Sequence, residues 1–327
     1  MFKDYCENIT EQEYRGSNRL SYSFIKDLPS KGPRILVEEQ KPIFNTGTNL
    51  GSIVDKLLTE DGYDPLNEFT LTNLNPVING TTHQDKLLKY AKENQLNLAE
   101  IDDLSDIYEN LGIKKPPKLT DEFYERLDLI LNENEYLNEN EYYLANTMAE
   151  TLQTHEFTKE IFEPSFELEI INQAIIFFKI YEEECKCMLD KVKIDHKNKI
   201  IYPYDIKTGA TFNFFQNFYN FKYYYQGAFY TTGIQSIVQT KEEFKDYTVA
   251  PFTFVYISRE KPNFPIKYTM SSKYIEDVMM GFTNKAGYKT MGILDIIKDI
   301  KWYKANEEFE VNRELVENNG EILIETP

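Results

Sequence analysis

Apolar residues at positions 20–28 recur at helical spacing behind Ser21 and Ser23, with Pro29 beyond them, which predicts a short capped helix that stops before the proline. Residues 48–59 predict a second helix, with Ile53, Val54, Leu57 and Leu58 turned to a core. Gly51 and Asp55 lie four apart and share one of its faces. Glycine there admits a close neighbour, and the carboxylate projects into the same space one turn later. Residues 61–163 have little strand character and many Asn, Glu and Leu, with helical periodicity near 85–94 and 120–157, so they read as an acidic helical insertion. Within it Lys114, Lys115 and Lys118 flank two prolines at an exposed joint.

Beyond residue 163 the period changes. Segments 165–171, 174–181, 185–194 and 200–207 are strand-like and separated by short polar turns, which predicts a meander. In the first, Phe166, Leu168 and Ile170 alternate with Glu167 and Glu169. Residues 213–239 predict one long helix with Phe214, Phe218, Phe221 and Tyr225 as its apolar stripe. A second stripe of Tyr219, Tyr223, Gln226 and Tyr230 offers rings, hydroxyls and an amide, groups that bind phosphate oxygens and stack on bases without positive charge. Strands at 248–258 and 265–270 and helices at 272–281 and 293–306 follow. Residues 307–327 read as a tail, in which 320–326 is a terminal strand or a loose end. The order helix, strand meander, helix, strand predicts one α/β domain with a mixed, largely antiparallel central sheet flanked by helices.

Composition narrows the function. The 327 residues, 41% of them apolar, suffice for a sizeable core. A formal charge of -18 and a pI near 4.7 exclude a protein that coats nucleic acid through bulk electrostatics, so any DNA contact must be local and metal-assisted. Cys6, Cys185 and Cys187 are too few for a disulfide framework or zinc cluster and suit a reducing compartment. No signal-like start and no apolar run of membrane-spanning length is present, which leads to the expectation of a soluble cytoplasmic protein without membrane partners.

The candidate chemistry sits at residues 188–207. Asp205 and Lys207 are two apart in a strand and share one side of it, Asp190 ends the preceding strand, and residues 195–199 are polar enough to turn the chain between them. Two carboxylates can hold Mg²⁺ or Mn²⁺, and an ammonium beside them can orient a water: together the minimal kit for cleaving a phosphodiester. The triplet of acid, any residue and lysine recurs at 39–41, 184–186, 195–197, 243–245 and 299–301, so context singles out 205–207: an apolar strand before it, a partner acid one hairpin away, Thr208 and Gly209 after it. Glu169 is either an additional ligand or an exposed strand acid.

These residues resemble the PD-(D/E)XK nuclease superfamily, in particular its RecE and lambda-exonuclease-like (RecB-like) phage branch. The likeness runs through the opening segment 20–26 with Ser23, the glycine helix of Gly51 and Asp55, Asp190, the Asp205-Ile206-Lys207 run, the Gln226-x-x-x-Tyr230 helix and the strand from Ala250. It implies a restriction-endonuclease-like core and Mg²⁺- or Mn²⁺-dependent DNA cleavage, exonucleolytic, in company with a single-strand annealing protein in a phage recombination system. By position, Asp55, Asp190, Asp205 and the Ile206 carbonyl would bind metal, Lys207 would assist the water, and Gln226, Tyr230, Tyr223 and Ser23 would face substrate. Two departures stand out: Asp55 replaces a position often occupied by histidine, giving an all-oxygen set that suits Mg²⁺, and the family's Pro-Asp is Leu189-Asp190 here. A homo-oligomer enclosing its substrate is compatible with the sequence, as is a nuclease-fold protein without turnover that serves as a DNA- or protein-binding module.

Overall fold

The computed structural model describes residues 1–38, 46–74, 78, 82–131, 136–284, 287 and 289–321, with backbone alone at 46–49 and 136. The triplet at 39–41 and most of segment 320–326 lie outside these residues. The chain divides into two compact units: Met1–Asp61 with Thr147–Pro327, and Gly62–Asn146.

The first unit opens with α1 (Glu11–Gly16), α2 (Tyr22–Lys31) and α3 (Thr46–Thr59). Helix α2 does not stop before Pro29 as its sequence suggests. The proline lies in the last turn, and the helix ends at Gly32, whose φ of 79° only glycine adopts easily and whose amide donates to the Leu28 carbonyl. Ser21 holds the N-cap position, yet its side chain makes no capping bond.

The second unit holds β1 (Thr70–Thr72), α4 (His83–Asn94), α5 (Ser105–Asn110), α6 (Asp121–Leu131), β2 (Tyr136–Asn138) and the start of α7 (Glu139–Thr154). β1 and β2 pair in parallel. Its core of Leu87, Leu88, Ala91, Leu98, Phe123 and Leu127 is its own, and a shielded Arg126–Asp85 pair at 3.4 Å joins α6 to the first turn of α4. Residues 147–163, grouped with the insertion on sequence grounds, fall in the first unit.

The first unit resumes through α8 (Lys159–Phe162) into the sheet: β3 (Leu168–Ile180), β4 (Glu183–Asp195) and β5 (Ile200–Gly209). The two segments expected at 165–171 and 174–181 form one strand, because the ladder to β4 continues in the same register on both sides of Gln173. Then come α9 (Phe214–Asn220), α10 (Tyr223–Thr240), β6 (Thr248–Val249), β7 (Thr253–Ser258), β8 (Ile266–Thr269), α11 (Ser272–Met280), the small pair β9 (Phe282–Thr283) and β10 (Lys289–Thr290), α12 (Ile293–Asn306) and α13 (Arg313–Glu317). Strands run in the order β3-β4-β5-β7-β8, with β6 also on β5. β3, β4 and β5 are antiparallel neighbours, β5 and β7 are parallel, and β7 and β8 antiparallel. This is an α/β fold with a mixed central sheet flanked by helices. Among the described residues no helix is long and apolar enough to cross a membrane.

The parallel step from β5 to β7 needs a crossover, and α9 and α10 provide it. They are two helices where the sequence suggests one. Lys222 between them takes the left-handed conformation, φ 55°, and its Nζ donates to the Lys26 carbonyl at 2.7 Å and to Ser30 Oγ at 3.2 Å, both on α2. The break leaves Phe214 and Phe218 in the core while Phe221 is half exposed. Helix α10 lies directly on the sheet: a Cβ at Gly233 would stand 2.7 Å from Cys187 Sγ. The apolar core from α10, α12, β3 and β4 is continuous, and among the described residues all three cysteines are free.

Helix α3 packs on β5 through Gly51. A Cβ there would come within 2.9 Å of Thr208 Oγ1, closer than van der Waals contact permits. Gly51→Ala should therefore lower stability by about 1–3 kcal/mol through overpacking, read as a lower urea midpoint at unchanged m-value; a midpoint equal to that of the unaltered protein would contradict this packing.

Candidate active site

The ladder between β4 and β5 runs from Asp195 opposite Ile200 to Lys191 opposite Tyr204 and ends there. The next facing pair in that register would be Asp190 and Asp205. Instead the strands part: β4 stays with β3, and β5 continues on β7 alone from Asp205 to Gly209. Parting strands leave backbone donors unpaired, and the acid fills that need: the Ile206 amide donates to Asp190 Oδ2 at 2.6 Å. Ile206, from which a carbonyl ligand was expected, thus contributes its amide to orienting Asp190.

Asp205 is 1% exposed. Its Oδ2 is 2.6 Å from Lys207 Nζ, its neighbour on the same side of the strand, and its Oδ1 accepts from Gln226 Nε2 of α10 at 2.6 Å. Lys207 lies 5.0 Å from the centre of the Tyr223 ring, which stacks on Phe254 of β7. Gln226 Oε1 is buried without a hydrogen-bond partner, a position ordinarily satisfied by water or an ion.

Asp55 comes from α3 on the other side of the opening. Its Oδ2 accepts from Gln173 Nε2 at 3.0 Å, and its main-chain carbonyl accepts from Thr59 Oγ1 at 2.8 Å. Its Oδ1 is buried and has no hydrogen-bond partner. Gln173 also reaches Thr59 Oγ1 at 3.3 Å, while Asn172 Nδ2 donates to the Thr59 carbonyl at 3.0 Å and accepts from Lys191 Nζ through Oδ1. β3 therefore ties down the last turn of α3.

Three acids and one ammonium share this space, and their proton affinities show the strain. Burial raises the pKa of Asp190 well above the carboxylate range, and the neighbouring charges of Asp205 and Asp55 add to it. Burial likewise lifts Asp55 to about 6, helped by Asp205 and opposed by Lys207. Asp205 also rises by burial, against the pull of Lys207 and the Gln226 amide. For Lys207, burial works toward the neutral amine, but Asp205, Tyr223 and Asp190 together outweigh it and raise its pKa, so the ammonium persists. Lys191 of β4 also feels Asp55 and Asp190, although burial lowers its pKa to about 8; three ionised carboxylates still outnumber the ammonium groups, an excess that a buried site relieves with protons or a cation.

A divalent ion fits these residues. The donors are hard oxygens, Asp55 Oδ1 is buried and has no hydrogen-bond partner, and the carboxylates outnumber the nearby ammonium groups. Among the described residues no group of three or more His, Cys, Asp or Glu side chains is placed to hold a metal ion by itself, so water or substrate oxygens would have to complete any set built on one or two of these carboxylates.

Other expected site residues fall elsewhere. Glu169 is not at the opening: its carboxylate accepts from the Phe2 and Lys3 amides at 3.0 and 2.8 Å and pairs with His196 Nε2 at 2.8 Å, so it anchors the N-terminal turn. Gln226 and Tyr230 are buried rather than presented to a strand. Gln226 acts on Asp205, and Tyr230 walls the site, its ring edge-on to Tyr22 at 6.4 Å. Tyr219, placed on the same stripe by periodicity, is exposed on the separate helix α9. Ser23 is exposed in the first turn of α2. Gln173 and Thr59 were not singled out from the sequence, since nothing in a run of strand formers marks an amide that reaches a distant helix.

Residues 114–311 match the family described as a PDDEXK-like domain of unknown function. No curated protein matches the chain. Among solved structures, a protein from Eubacterium rectale described as "Putative exonuclease" is similar at 14% identity and a TM-score of 0.49, covering 98% of this chain and 96% of that one.

Because the folded pKa of Asp55 lies above its unfolded value of 3.8, its contribution to stability is full below about pH 4 and is lost as pH rises through about 6. Asp55→Asn removes the ionisable group and keeps an acceptor for Gln173. In EDTA it should raise unfolding stability at pH 8 by on the order of 2 kcal/mol and change it little at pH 4. Equal effects at both pH values in denaturant titrations would contradict the crowding of charge.

Proposed function

Since the chain belongs to the PDDEXK-like domain family of unknown function, with a nuclease fold, we propose that it is a metal-dependent deoxyribonuclease that degrades DNA from an end. The observation that carries this reading is the placement of Asp190 and Asp205 just beyond the last β4–β5 pair, where the strands part, with Lys207 held as an ammonium 2.6 Å from Asp205. Asp190 and Asp205, joined by Asp55, would hold Mg²⁺ or Mn²⁺. Bound there, the ion would supply charge neutralisation at the phosphate and a more acidic water.

The side chains divide the remaining work. Lys207 stays protonated, so it is no base; it donates to the attacking water or to a phosphate oxygen and offsets charge that grows in the transition state. Gln226 fixes the Asp205 carboxylate, and the Ile206 amide fixes that of Asp190. Tyr223 shields one side of Lys207 from water.

A polyanion approaching a protein of charge -18 needs a route free of carboxylates. Residues 208–221 carry no charged side chain at all, and Phe215, Tyr219 and Phe221 there are half exposed or more. The Phe221 ring is 5.7 Å from that of Tyr223, so the aromatic surface leads to Lys207. Such rings stack on unpaired bases of any sequence. A phage-type recombination setting with a single-strand annealing partner is supported by the sequence resemblance.

End-labelled linear DNA with Mg²⁺ or Mn²⁺ should be degraded while closed circular DNA survives; nicking of the circle would instead mark an endonuclease, and intact linear DNA would sink the proposal. Asp190→Asn, Asp205→Asn and Lys207→Ala should each lower the rate by about 10²–10⁴ with folding retained. Lys207→Arg should also impair it, because a planar guanidinium does not replace a compact ammonium. In steady-state assays on single-stranded ends, Phe215→Ala or Tyr219→Ala should raise KM by about tenfold with kcat little changed; unchanged KM would remove α9 from the substrate route.

A further inference from the structure

We infer that Gln173 is a positioning residue of the metal site: its amide aims Asp55, and its left-handed backbone lets β3 and β4 turn four polar side chains toward α3. The inference rests on the metal-dependent reading above. Gln173 has a φ of 49° in the middle of the continuous strand β3. A glutamine held there is strained, and such strain persists where the surroundings impose it.

The burial pattern shows what the strain accomplishes. On β3, Ile171 and then Ala174, Ile176 and Phe178 face the core, so Asn172 and Gln173 both leave it. On β4, Cys185, Cys187 and Leu189 face the core, followed by Val192 and Ile194, so Asp190 and Lys191 both leave it. The register pairs Asn172 with Lys191 and sets Gln173 opposite Asp190, which makes the two slips one matched event. Gln173 then bonds Asp55 Oδ2 and Thr59 Oγ1, and Asn172 bonds the Thr59 carbonyl. With Oδ2 taken by the amide, the buried Oδ1 of Asp55 remains as the free ligand oxygen. Outer partners of this kind set how well a carboxylate binds its ion.

The test is calorimetric titration with Mn²⁺ at neutral pH, alongside thermal unfolding in EDTA. Gln173→Gly keeps the backbone conformation at no steric cost and deletes the side chain together with its amide. Gln173→Asn tolerates the same conformation and keeps an amide that is one methylene too short. Both should bind Mn²⁺ about tenfold more weakly than the unaltered protein, while the metal-free unfolding temperature of Gln173→Gly stays equal or rises. Unchanged Mn²⁺ affinity in the variants, or a lowered metal-free unfolding temperature with affinity intact, overturns the inference and leaves the nuclease reading standing. If Gln173→Gly does not fold, Gln173→Asn alone decides by the same criterion. Absence of Mn²⁺ binding by the unaltered protein overturns both.

Discussion

Three carboxylates crowded beside the Lys207 ammonium are the constraint on which this structure turns. Burial raises the proton affinity of Asp55, Asp190 and Asp205, Asp205 adds to that of Asp55 and Asp190, and Asp55 adds to that of Asp190. Such a cluster is unfavourable for folding by itself. It persists because each acid is tied to a neutral donor: Gln173 for Asp55, the Ile206 amide for Asp190, Gln226 for Asp205. Those donors orient the oxygens without cancelling their charge, so the appetite for a cation is left in place.

The sheet topology creates the space. β5 is antiparallel to β4 on one side and parallel to β7 on the other, and it changes partner at Tyr204. A strand that leaves one neighbour before its end opens a gap beside it, and side chains from both strands project there. Helix α3 approaches β5 there because Gly51 has no Cβ, while α10 packs on the sheet and brings Gln226 to Asp205. Acid, lysine and amide thus arrive from four elements.

The charge distribution fits the same logic. An acidic protein repels a nucleic acid strand over most of its surface, which suppresses non-specific binding. The aromatic segment at 208–221 carries no charged side chain, and it follows directly after Lys207. Stacking and a local cation would then carry affinity that other DNA-binding proteins draw from lysines and arginines.

Local sequence sufficed for whatever depends on neighbours a few residues away. The alternation through 200–207 put Asp205 and Lys207 on one side of a strand, the four-residue spacing put Gly51 and Asp55 on one side of a helix, and residues 293–306 form the expected helix. Glu169 stayed open between a ligand and an exposed strand acid because alternation gives a face but no position along it, and the N-terminal turn captured it. The break at Lys222 was invisible for a similar reason: the left-handed residue is held by carbonyl and hydroxyl groups of α2, nearly two hundred positions earlier. So was the role of Gln173, whose strained backbone and distant partner exist only once β3, β4 and α3 meet. Side-chain periodicity is a property of the chain, whereas the gap between β4 and β5 and the amides that aim its acids are properties of packing, which assembles groups far apart in sequence.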